Sequence, residues 1–159
     1  MKINEKHYVS LKQAFTDFWI GYFNFSGSST RSGYWWGRVS VFLTQFVILL
    51  LCSPFIYFSI KHYRDYSSIE SVIIVVLLIS ILLFIIPLIA LQVRRLRNTG
   101  MNNITITALL ILMVAIDVLI GDKETGIFIF IRDCLVLFIF ICNLLPTNTL
   151  QHAPLIGKK

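Results

Sequence analysis

The amino-acid sequence predicts an all-α integral membrane protein: a four-helix bundle of two antiparallel transmembrane hairpins, preceded by an amphipathic interfacial helix. Three observations predict it. The chain of 159 residues is 57% hydrophobic and only 14% charged, with a mean hydropathy of +0.79, whereas a soluble domain carries ~25% charged and ~45–50% apolar residues. Four apolar runs follow one another, each near the length that crosses ~30 Å of hydrocarbon at ~1.5 Å per residue. The cations are divided unequally among the segments flanking those runs. The same composition excludes a disordered chain, and three cysteines are too few for a disulfide-stapled secreted module.

The first element expected is the interfacial helix. Leu11, Ala14, Phe15, Phe18, Trp19, Tyr22 and Phe23 recur at the three- and four-residue spacing of one helical face, with Lys12, Gln13, Thr16 and Asp17 opposite. Such a face suits either the headgroup boundary of a bilayer or a protein partner. All three tryptophans, Trp19, Trp35 and Trp36, precede the first span, where amphipathic rings favour the interface. No cleavable signal is expected, because the first long apolar run starts only at Val39.

Span one is Val39 to Ile60, interrupted only by the mildly polar Ser40, Thr44, Gln45 and Ser53. Span two, Ser71 to Val93, holds no charge. Ile104 to Ile120 is shorter and ends near Asp117, and Ile127 to Leu145 contains Arg132 and Asp133. Between these last two, Gly121 and Thr125 supply a C-cap and an N-cap, which predicts a tight antiparallel hairpin. The runs are too long, and lack the two-residue alternation, for strands of a barrel. The expected division is a cytoplasmic N-terminal segment over 1–38, a four-span domain over 39–145 and a cytoplasmic tail over 146–159.

Orientation follows from the lysines and arginines of the flanks. Lys2, Lys6, Lys12, Arg31, Arg38, Arg94, Arg95, Arg97, Lys158 and Lys159 fall on one side, against Lys61, Arg64 and Lys123 on the other. Both termini are therefore expected in the cytoplasm. The net charge of +6 is thereby explained by topology, and no nucleic-acid partner is expected because the cations are dispersed.

The stretch Asn24-Phe25-Ser26-Gly27-Ser28-Ser29-Thr30-Arg31-Ser32-Gly33-Tyr34-Trp35-Trp36 resembles the opening motif of the bacterial inner-membrane family catalogued as domain of unknown function 805. Val93-Arg94-Arg95-Leu96-Arg97-Asn98-Thr99-Gly100 is similar to that family's second motif and stands in the same relative place. The resemblance runs from about Phe25 to Pro146 and implies a small multi-pass membrane protein without a defined activity. The family usually carries an acidic residue where Gly33 stands, a second basic residue near Ser28, a His-Asp pair at Arg97 and Asn98, and a Gly-rich, Asn-containing tail where this chain has Pro146-Thr147-Asn148.

Few groups offer chemistry. Gly27 to Gly33 has the wrong spacing for a phosphate loop, and lacks the lysine and the preceding strand. Gly33 and Gly37 form a G-x-x-x-G pair at the mouth of span one, a chance spacing or a site of close helix approach. Arg94, Arg95 and Arg97, with Arg31 and Arg38 on the same face, either fix topology or form a site for an anionic lipid or phosphorylated ligand. Asp117, Arg132 and Asp133 are the ionisable residues inside the spans. Counted from the outer hairpin, Asp117 and Arg132 lie within a turn of the same depth, which predicts an ion pair between them with Asp133 turned to water or another helix. Cys52, Cys134 and Cys142 read as packing residues, and His7, His62 and His152 are too scattered to converge, so neither metal nor cofactor is expected.

No nucleophile, base and orienting acid can be assembled, and the chain is not expected to be an enzyme. A lipid-acting enzyme would have only Arg31, Tyr34, Arg94, Arg95 and Asn98 at the cytoplasmic interface, with no base among them. The function expected is that of an accessory, regulatory or envelope-stress component of the inner membrane. Its partners would be the bilayer, anionic lipids, and a membrane protein or a second copy of itself. The alternative is a small oligomeric transporter or channel lined by Asp117, Arg132, Asp133, Gln45 and Asn143.

Overall fold

A computed structural model describes residues 3–5, 7–63, 66–120 and 126–157. These form five helices: α1 (Leu11–Ile20), α2 (Arg31–Tyr63), α3 (Tyr66–Asn98), α4 (Asn103–Ile120) and α5 (Gly126–Leu144). Among the described residues there are two isolated β-bridges, Asn4 with Ser28 and Met101 with Gly157, and no strand. Segments of α2 (Arg31–Pro54), α3 (Ile73–Asn98) and α5 (Gly126–Leu144) are long and apolar enough to cross a membrane, and α4 supplies a shorter apolar helix over Asn103–Val118. The expected hairpin turn at Gly121 to Thr125 lies outside the described residues.

The helices start earlier and end later than the apolar runs. α2 begins at Arg31, eight residues ahead of Val39, and α3 continues to Asn98, past the last apolar residue of its span. Residues 31–38 and 94–98 are therefore parts of the long helices α2 and α3, and the boundary expected at residue 38 falls inside a continuous helix.

Prolines lie inside two of these helices, Pro54 in α2 and Pro87 in α3. A proline has no N–H, so the carbonyl four residues before it loses its helical donor. Ser53 Oγ donates to Leu50 O at 2.8 Å, and Tyr22 OH donates to Leu83 O at 2.7 Å. Hydroxyls thus satisfy both freed carbonyls, as an apolar solvent requires.

Tight packing is concentrated where α2 begins, α3 ends, α4 begins and α5 ends. One cluster joins Val93, Leu96, Met101, Ile106 and Cys142, and the tail adds Leu150 and Ile156. The other joins Phe18 of α1 to Tyr34, Phe84 and Leu91. Phe18 stacks on Phe84 with ring centroids 6.3 Å apart, and Trp19 lies tilted on the same ring at 5.5 Å. Away from this end the helices present bare apolar surface, including Leu51, Leu78, Ile79, Ile111, Val114 and Leu137, all more than half exposed. A helix that is apolar outside as well as inside belongs to lipid rather than to water.

α1 begins at Ser10, whose side chain accepts from Gln13 N, and it buries Ala14 and Phe18. Phe15 and Ile20 remain exposed on it, and Phe23 just beyond its end. Gly37 lets α2 approach α3, because a Cβ there would stand 2.9 Å from Leu91 Cδ2. Gly33, the other glycine of the G-x-x-x-G pair, instead faces the Glu5 carboxylate.

Candidate functional site: helix ends capped by distant side chains

The packed end holds a set of polar groups drawn from every part of the chain. Thr30 is the residue before α2, and its Oγ1 accepts from Gly33 N at 3.3 Å. In a capping box the third helical residue returns a carboxylate to the N-cap amide. Position 33 is glycine here, and the carboxylate comes from Glu5, whose Oε2 accepts from both Thr30 N and Thr30 Oγ1 at 2.8 Å. A Cβ on Gly33 would collide with the Glu5 carboxylate. Main-chain bonds Glu5 N to Ser28 O and Ser28 N to Ile3 O fix the donor segment beside the loop.

At the end of α3 the three motif arginines point into three different places. Arg95, fully buried, donates from Nε and Nη2 to Asn143 O at 3.2 and 3.1 Å, from Nη2 also to Leu145 O, and from Nη1 to Asn98 Oδ1 at 2.9 Å. It closes the C-terminus of α5, where the last carbonyls have no donor within the helix and the dipole favours a cation. Arg97, half-buried, donates to Phe25 O, to Gly27 O at 3.1 Å and to Asn103 Oδ1 at 3.1 Å. Arg94 is buried beneath α1, with Nη1 3.5 Å from Asp17 O and with Nε and Nη2 lacking a hydrogen-bond partner. Burial pushes the Asp17 carboxyl up, and the nearby Arg94 guanidinium and a hydrogen bond from Gln13 offset part of that rise.

A second network lies one turn deeper. Tyr34 OH donates to Gln92 Oε1 at 2.7 Å, Gln92 Nε2 donates to Asn143 Oδ1 at 3.0 Å, and Asn143 Nδ2 donates to Tyr34 OH at 3.0 Å. Arg38 Nη2 adds a bond to Gln92 Oε1 at 3.2 Å, and its guanidinium lies over the Tyr34 ring, 5.1 Å from the centroid. This ring of donors and acceptors ties α2, α3 and α5 together with every member paired, the condition under which buried polar groups strengthen a core.

The tail is part of the same assembly. Gly100 follows α3 with φ +97°, and a Cβ there would stand 2.6 Å from Gln151 N. Asn148 N donates to Asn98 O and Leu150 N to Thr99 O, at 2.9 and 2.8 Å. Thr147 Oγ1 donates to Asn98 Oδ1 at 2.9 Å. Asn98 therefore acts through its acceptor oxygen, as an aspartate would, and Arg97 acts as a pure donor.

The five arginines of the expected anion site do not converge on one point. Arg31 and Arg38 are exposed on α2, while Arg94, Arg95 and Arg97 are directed to Asp17, to the end of α5 and to the loop 25–27. The expected Asp117 to Arg132 pair is replaced by another. Arg132 Nη2 lies 3.0 Å from Asp133 Oδ1, with both side chains substantially exposed, and Asp117 is exposed on α4. Equal depth brings two helices' residues to one level, and a pair also needs them to face each other; adjacent Asp133 wins because no helix rotation is required.

Tyr34, Gln92, Asn143 and Glu5 form the networks, and only Glu5 left no trace in the sequence. Gln92 and Asn143 each stand as an isolated carboxamide near the end of an apolar run, a recognisable sign of a buried polar contact. Among the described residues no group of three metal-ligating side chains is found.

The two motifs that suggested a family, around Thr30 and around Arg95, are thus joined in space by Arg97 to Gly27 O and by Ser29 N to Arg94 O. A family described as "Protein of unknown function (DUF805)" matches residues 22–151, most of the chain. The chain belongs to the DUF805 family. The match encloses the loop, all of α2 to α5 and the tail contacts to Asn98 and Thr99, and leaves α1 and Glu5 outside. No curated protein and no solved structure matches this DUF805 protein.

Proposed function

We propose that this DUF805 protein is a non-enzymatic accessory, regulatory or envelope-stress component of the bacterial inner membrane. In this reading it crosses the bilayer four times as two hairpins, α4 being the shortest span, with both termini cytoplasmic and α1 lying in the interface. The excess of cations at the packed end supports that orientation.

The observation that carries the proposal is the use of the motif arginines. Arg95 and Arg97 direct their hydrogen bonds at main-chain carbonyls and amide oxygens of the chain itself, which makes them clamps rather than reactive groups. The packed end also leaves apolar side chains bare, with Leu11, Phe15 and Ile20 exposed on α1 and Phe23 exposed just beyond it, beside two tightly packed clusters. A rigid end that leaves such aromatic and aliphatic side chains exposed suits docking to another membrane component. The transport alternative is not favoured, since of its expected lining Asn143 is buried within the hydrogen-bonded ring and Arg132 is paired with Asp133.

Native mass spectrometry of the protein gently extracted from its own membrane tests the proposal. A second membrane protein in fixed ratio is expected. A homo-oligomer that carries no partner would overturn the accessory role.

A further inference from the structure

Between α2, α3, α4 and α5 runs a crevice of about 400 Å³. Its volume falls within the ~300–1,000 Å³ usual for ligand sites. Its two ends differ in chemistry. Tyr34, Arg38, Gln92 and Asn143 make the polar end, which is the hydrogen-bonded ring described above. Below it the walls are apolar, from Ile85 and Ile89 of α3, Met113 of α4 and Phe140 of α5. From Gln92 to Ile85 the crevice follows α3 for seven residues, ~10 Å along the helix.

Arg38 is the single formal charge among the residues lining the crevice, and no carboxylate stands among them. Its guanidinium is held in place by Gln92 and the Tyr34 ring, is itself exposed, and retains donors beyond the one given to Gln92. A fixed cation at the rim of an apolar slot matches a molecule with one negative headgroup and a hydrocarbon tail.

We infer that this crevice is a binding site for one anionic glycerophospholipid, with the phosphate at Arg38 and an acyl chain lying between α3 and α5. Of the five arginines expected to hold an anion the site uses Arg38 alone, and it does not depend on the accessory role. The apolar walls supply affinity for any phospholipid, and Arg38 supplies the preference for an anionic one.

The test uses the full chain reconstituted in vesicles of equal phosphatidylglycerol and phosphatidylcholine, followed by gentle release and native mass spectrometry of the retained lipid. One retained phospholipid is expected, with phosphatidylglycerol favoured about five-fold, the effect of one cation near the headgroup. Arg38→Gln removes that preference, Arg38→Lys keeps it, and Arg132→Gln leaves it unchanged. Ile89→Trp, which fills the slot from a half-exposed position, lowers retention of both lipids at least several-fold. Equal retention of the two lipids by the parent protein, a preference that survives Arg38→Gln, or unaltered retention in Ile89→Trp would each overturn the site. Should Arg38→Gln fail to fold, the Arg38→Lys and Ile89→Trp pair decides, because one preserves and the other blocks the inferred contacts.

Discussion

Glu5 and Gly33 together complete the capping box of α2: the glycine leaves the space, and the distant carboxylate fills it and accepts from the Thr30 amide. The acid that the family resemblance leads one to expect at position 33 is thus delivered from the N-terminal segment, outside the matched residues 22–151. The same logic recurs at this end of the molecule. Arg95 closes α5 from α3, and Tyr22 serves the Leu83 carbonyl from beyond α1.

Glu5→Ala should destabilise the protein by about 1 kcal/mol, the usual cost of losing an N-cap partner. The second change, Gly33→Glu, is destabilising alone, because its side chain meets the Glu5 carboxylate, yet restores stability in the Glu5→Ala background. Thermal unfolding of the four variants in one detergent measures this; simple additivity of the two changes would refute the shared cap.

Tyr22→Phe should cost about 1 kcal/mol, since it leaves the proline-freed carbonyl of Leu83 without its donor. Replacing Pro87 by Ala returns a helical N–H to that carbonyl, so Tyr22→Phe should cost much less in the Pro87→Ala protein. A double-mutant cycle reads the difference, and equal costs in both backgrounds would refute the account.

Gly100→Ala should destabilise by about 1–2 kcal/mol for the positive φ alone, with the approach of Gln151 adding to it. The loss should register first as faster proteolysis of residues 146–157, whose main-chain bonds to Asn98 and Thr99 depend on that turn. Unchanged proteolysis with lowered overall stability would place the strain elsewhere.

Much of the helical architecture is legible in the sequence. Long apolar runs such as Ser71 to Val93 need no tertiary information to be read as helices, because length and hydropathy suffice. Of the expected apolar face over Leu11 to Phe23, Ala14 and Phe18 are buried while Leu11, Phe15 and Phe23 are exposed. What escaped notice depends on contacts between residues far apart in the chain. Arg97 and Gly27 are separated by 70 positions, Arg95 and Asn143 by 48, and no local pattern records either bond. The start of α2 lies ahead of the long apolar run because the Thr30 and Glu5 cap that begins the helix depends on a residue distant in the chain. The Asp117 to Arg132 expectation rests on depth alone, which does not specify rotation about the helix axis, and Arg132 pairs with Asp133.

The central claim is that the Val93 to Gly100 motif is architectural, a clamp between the loop near Gly27 and the tail. Hydrogen exchange of the parent and of Arg95→Met, followed by mass spectrometry, tests it most directly. The account predicts lost protection at Asn148 and Leu150 and in the last turn of α5, with the middle of α3 unchanged, because Arg95 holds those segments through Asn143 O, Leu145 O and Asn98 Oδ1. A variant whose tail and α5 stay as protected as in the parent would contradict the clamp.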